Sequence, residues 1–174
     1  SNEKEDLEYA DQLFSTLIVG PEPSKKATQF SSSHSRKEVL EKIIELCEPY
    51  DTPHARYIIA LAYAWFDVSK RKEAIVQLNR YLNNDLYTDL GNRQHYSVNF
   101  TAEQNNNIIT ATMYSYLGKC FEGEYEFDNA LVAYQKARKL DTRGITQTLQ
   151  ICNVLIKMNN IDGAIKLLKS YKTD

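Results

Sequence analysis

The residues of this chain with chemical potential are three histidines, three cysteines and one dense run of carboxylates. Glu122, Glu124, Glu126 and Asp128 crowd a single short segment. Paired carboxylates can trade a proton as general acid and base. These stand just ahead of the apolar spacing of Ala130, Tyr134 and Ala137, so they read as a helix–helix turn whose acids complement the next helix dipole. His34, His54 and His95 fall in a loop, at a helix start and in an insertion. None pairs with another His, Cys or carboxylate at metal-ligand spacing. No glycine-rich phosphate loop appears. Cys47, Cys120 and Cys152 are odd in number and widely spaced, without a CxxC arrangement. They read as small buried hydrophobes in a reducing, cytoplasmic setting. The expectation is a non-enzyme with no catalytic residue, no metal and no cofactor.

Charge is nearly balanced but unevenly spread. The chain holds 21 Lys and Arg against 23 Asp and Glu, a net charge of −2. Residues 1–50 carry 6 basic and 10 acidic side chains, whereas residues 130–174 carry 8 and 3. The basic block, with Lys136, Arg138, Lys139 and Arg143, suits solvated helix faces, an acidic partner or a head-to-tail contact between copies. A sequence pI near 6.0 argues against nucleic acid as the main partner. No apolar run approaches the roughly 18 residues of a membrane span. The first residues lack the basic-then-apolar pattern of a secretory leader, which leaves open a trimmed targeting segment.

Few glycines and prolines, 6 and 4 in 174 residues, favour helices over many short strands. Helix punctuation agrees. Ser35-x-x-Glu38 and Thr101-x-x-Gln104 are capping boxes, the second opening a long helix to about residue 121. Thr52-Pro53 is an N-cap followed by proline at the first helical position. Ser69 is expected to cap the helix that holds Ala74 and Leu78. Residues 4–18 and 36–49 read as two helices joined by a Pro/Ser-rich loop at 20–34.

A 34-residue echo organises the rest. Tyr114, Leu117, Gly118, Phe121, Ala130 and Tyr134 return as Thr148, Ile151, Cys152, Leu155, Ala164 and Leu168. An earlier copy is Ile58, Leu61, Ala62, Trp65, Ala74 and Leu78, separated by about 22 extra residues. Small residues let two helices approach while large ones fill the ridges beside them. The chain is therefore expected to be one domain, 1–174. A degenerate helix pair occupies 1–50, repeats occupy 55–86, 111–144 and 145–174, and an insertion falls at 83–110, its core at 83–104 with the aromatic pieces Tyr87, Tyr96 and Phe100.

This pattern resembles the tetratricopeptide repeat family, whose signature runs Trp-x-x-Leu-Gly-x-x-Tyr, then Ala, Phe and Pro. The closing proline is absent, with Leu86 and Thr142 in its place, and Tyr81 and Tyr171 stand where Ala137 shows the usual small residue. Tyr81 is expected to push neighbouring helices apart. The resemblance implies an all-α, right-handed superhelix of about seven or eight helices in antiparallel pairs, an α-solenoid. It also implies a concave groove lined by the first helix of each pair. On this chain that face carries Arg56, Ile59, Ala60, Tyr63 and Asp67. It continues with Thr112, Ser115, Tyr116, Lys119 and Glu122, then Thr146, Leu149, Gln150, Asn153 and Lys157. Some relatives grip a chaperone's terminal carboxylate with Lys, Asn and Arg. Ile59, Tyr63, Tyr116, Thr146 and Gln150 stand at those places here, so that clamp is not supported.

The functional expectation is a protein–protein interaction scaffold binding a peptide or partner segment. Tyr63 and Tyr116 would anchor it, with polar contacts from Arg56, Thr112, Ser115, Lys119, Gln150, Asn153 and Lys157. Two other readings compete. One is a peptide-sensing regulatory domain of a larger system. The other is a self-assembling subunit that associates as a homo-oligomer through the C-terminal helix, where Ile165 and Leu168 would face outward.

Overall fold

The computed structural model describes residues 2–18, 22–83 and 101–173. Among them are nine α-helices and one 3-10 turn, and no strand. The chain divides into two compact units, Ser1–Tyr87 and Thr88–Asp174, and the division falls inside the expected insertion.

The first unit holds α1 (Glu3–Ser15), α2 (Lys25–Ser33), α3 (Arg36–Cys47), α4 (Pro53–Trp65) and α5 (Arg71–Leu82). Asn2, Ser24, Ser35 and Thr52 each place a side-chain oxygen on a first-turn N–H of the helix that follows. Ser35 and Glu38 make the expected reciprocal box. α1 packs on α3, α3 on α4 and α4 on α5. Their buried faces bring together Leu7, Leu13, Leu40, Ile43, Ile58 and Leu78. Ala62 and Ala74 are fully buried, as small contact residues must be where helix backbones approach.

Three expectations need correction here. The 20–34 loop contains α2, held by the Ser24 cap and by Ala27, which is fully buried. Ser69 does not cap α5: Asp67 takes the Ser69 N–H and folds Val68–Lys70 into the 3-10 turn, and α5 starts without a side-chain cap. The total among the described residues is nine helices, above the expected seven or eight, because α2 is one more. Tyr81 is buried with its ring 5.7 Å from that of Tyr57. The segment after it, 84–100, with Tyr87, His95, Tyr96 and Phe100, lies outside the described residues.

The second unit holds α6 (Ala102–Gly123), α7 (Phe127–Leu140), α8 (Thr146–Lys157) and α9 (Ile161–Thr173). Thr101 and Gln104 form the capping box, so residues 101–110, read as insertion, belong to a 22-residue helix. Sequential helices pack on one another. Ala130, Tyr134, Ile151 and Val154 form a buried cluster, closed by Phe121, Phe127, Leu131, Leu155 and Leu167. Gly118 packs directly on α7, where an added Cβ would meet the Tyr134 ring at 2.5 Å.

The 34-residue spacing is also written in the backbone of this unit. Among the described residues, Tyr125 and Asn159 are the two non-glycine residues with positive φ, at 61° and 62°. Around them the same bonds recur: Glu126 N–H to Phe121 O at 2.9 Å and Asn160 N–H to Leu155 O at 2.7 Å. Glu124 N–H to Cys120 O and Met158 N–H to Val154 O match in the same way. A left-handed residue followed by a six-to-one bond is the Schellman stop of a helix. The α6–α7 and α8–α9 pairs therefore turn by one geometry, and Ala130 and Ala164 are buried at equivalent points beyond it.

Candidate functional site

In the first unit, α4 presents Arg56, Ile59 and Tyr63 on one side at helical spacing. Ile59 and Tyr63 line a cleft of about 210 Å³ with Glu48, Asp51, Gln77 and Arg80. Asp51 anchors its wall. Arg56 donates from Nε at 2.8 Å and from Nη2 at 2.7 Å, and Arg80 donates at 2.7 Å. These bonds, the Arg56 one first, hold the Asp51 carboxyl below its usual range. Arg56 is mostly buried, and its Nη1 has no hydrogen-bond partner among the described residues. Burial, then Glu48 and Glu73, raises the Tyr63 phenol, which stays a neutral donor and acceptor. Ala60 is buried and presents nothing outward, and Asp67 is spent on the 3-10 turn.

In the second unit the site is built from α6 and α8. The Lys157 ammonium pairs with the Glu122 carboxylate, which links the last turns of the two helices. The same carboxylate accepts the Tyr134 hydroxyl of α7 at 2.9 Å. Burial, reinforced by that bond, pushes the Tyr134 phenol up. Glu122 thus ties three consecutive helices. Glu126 stands at the N-cap of α7 without making the cap bond expected of the acidic run.

Along this face Lys119 is exposed with its ammonium 5.6 Å from the Tyr116 ring centroid, a cation–π distance. Thr112 turns its hydroxyl back onto the Ile108 carbonyl at 2.9 Å, which removes it from easy contact. Asn153 and Thr146 are exposed, and Leu149 is open to solvent. Ser115 Oγ and Gln150 Oε1 are buried, and neither has a partner among the described residues. Each such group costs about 1–3 kcal/mol while it stays unpaired.

The structure therefore joins Ser115, Tyr116, Lys119, Gln150, Asn153 and Lys157 in one unit and places Arg56 and Tyr63 in the other. Sequence reasoning missed Asp51 and Arg80, and it missed the tie made by Glu122. The partners of Glu122 are 12 and 35 residues away, so no local period announces them.

His54 Nε2 lies 3.0 Å from the Asp11 carboxylate, linking α4 to α1. His34 stacks on Phe30 at 3.8 Å. The three cysteines are free and buried. Among the described residues no group of three His, Cys, Asp or Glu could hold a metal ion, and no helix is long and apolar enough to cross a membrane. No protein-family model matches the chain, and no curated protein matches it either.

Proposed function

We propose that this chain is a non-catalytic, tetratricopeptide-like interaction module that binds a peptide or partner segment along the α6–α8 face. The observation that carries this reading is the pair of buried, unpartnered atoms Ser115 Oγ and Gln150 Oε1 on that face. One is a donor and acceptor and the other an acceptor, the complement of a peptide backbone. Tyr116 beside them supplies large contact area at low entropy cost, and Lys119 supplies a charge at the rim. The shared turn at 34-residue spacing supports a repeat array.

Selection from a random peptide library on the full chain tests the reading. Selected peptides should bind the Tyr116→Ala/Lys119→Ala double variant at least about tenfold more weakly. Helicity and melting should be unchanged. Equal binding by the double variant removes the α6–α8 face from the function.

A second reading, self-association, is favoured by one observation. Ile161, Ile165 and Leu168 on α9 are 53%, 46% and 39% exposed, with Ile156 of α8 also open. Clustered apolar exposure of this kind marks contact surfaces.

A further inference from the structure

On the α7 side of the second unit lies a cleft of about 820 Å³ that the α6–α8 face does not explain. Its walls come from α7, the start of α8 and the last turns of α9, with Val132, Lys136, Arg138, Lys139, Thr148 and Tyr171 among the lining residues. Helical spacing of 100° per residue puts Thr148 about 180° around α8 from Lys157, so the cleft opens away from the proposed peptide face. Among the described residues, three cations line it and no carboxylate does. The nearby Asp141 does not offset them, since Arg143 engages both its oxygens at 2.8 and 2.9 Å. Among the described residues, Arg138 and Lys139 form no ion pair, and Lys136 lies 5.5 Å from the Tyr114 ring centroid.

The start of α8 adds to this. Its N-cap is Ile145, which makes no side-chain cap bond, and its first turn holds no acidic residue. A helix start left this way favours a negative group. Thr148, in the cleft wall at that end, is 1% exposed. Val132 and Tyr171 give the cleft an apolar part that a simple anion would leave unused. Cations at the last turn of α7 would by themselves serve that helix's dipole, but this accounts for neither Lys136 nor the bare start of α8.

We infer that this cleft is a second docking site, for an acidic segment of a partner protein that carries an apolar side chain between its carboxylates. The volume falls within the roughly 300–1,000 Å³ of ordinary ligand sites. The carboxylates meet Lys136, Arg138 and Lys139, and the apolar side chain meets Val132 and Tyr171. The site is independent of the peptide face on α6 and α8.

Fluorescence anisotropy on the full chain tests it with a labelled peptide of glutamates around a central leucine. Binding is expected that weakens with added salt. The glutamine-for-glutamate counterpart should not bind. Arg138→Glu/Lys139→Glu should reduce affinity at least about tenfold. Lys136→Gln/Lys139→Gln, which leaves half-buried Arg138 in place, should reduce it in the same direction with unchanged circular dichroism. Tyr116→Ala/Lys119→Ala should leave it unaltered, which separates this site from the proposed function. No binding, equal binding by the Lys136→Gln/Lys139→Gln variant, or displacement by inorganic phosphate or single-stranded DNA as effective as by unlabelled peptide, would each overturn the inference.

Discussion

Gly118 has no room for one more carbon. A methyl there would meet the Tyr134 ring at 2.5 Å, and that ring is held by its hydroxyl on Glu122. Replacing helical glycine by alanine gains about 0.5–1 kcal/mol of backbone entropy. Overpacking costs about 1–3 kcal/mol, so the clash wins. Gly118→Ala should lower the denaturant midpoint, and restoring space with Tyr134→Leu in the same chain should recover part of the loss. Cys47 makes a second residue-scale prediction. Burial first, then Asp11 and Asp6, pushes its thiol up to about 12 from 9.0. The folded state keeps a proton that the unfolded chain gives up, so this contribution is full below pH 9 and is lost as pH rises toward 12. The slope is at most about 1.4 kcal/mol per pH unit. Cys47→Ala should show a shallower fall in stability over that window than the parent, and an identical fall would remove the argument. The burial of this thiol was legible from residue type alone. The carboxylates that add to its shift were not, because Asp6 and Asp11 reach it from another helix.

Elements were legible where local chemistry decides them. The capping boxes at Ser35 and Thr101, the proline after Thr52 and the alanines at 74, 130 and 164 all stand where the sequence pattern puts them. α2 was not legible, since its serines suggest a loop. In the structure Ser32 and Ser33 return their hydroxyls to carbonyls one turn back, and Ala27 docks the helix. The α4–α5 connection likewise depends on the Asp67 carboxylate accepting both the N–H and the hydroxyl of Ser69, which no period encodes. The turns of the second unit carry a testable strain. Tyr125 is 82% exposed and left-handed, a conformation costing about 1–2 kcal/mol outside glycine. Asparagine tolerates it better. Tyr125→Gly should raise the melting temperature more than Asn159→Gly does, despite loss of the ring contact with Phe127. The reverse order would mean that this contact outweighs the strain.

At the scale of the whole molecule, the sequence pattern gives an all-α chain with repeats, and the structure divides it into two units. The candidate faces were legible only as helix sides. Which polar atoms are buried without partners, and which cations share a cleft, depends on neighbours from other helices. The open face of α9 leads to a prediction for the intact chain. Sedimentation should show the parent associating and Leu168→Glu as a monomer, whereas monomers in both cases would dismiss self-association. The stop at Tyr125 and the stop at Asn159 have a consequence for how such a chain can lengthen. Each closes its bonds within 120–126 or 154–160 and borrows nothing from farther along. Residues 127–160 therefore form a cassette that begins and ends at the same point of the same turn. Tandem copying of that cassette would add a helix pair while every existing turn bond stayed closed, so growth or shrinkage by whole cassettes is the change in length this architecture accepts most easily.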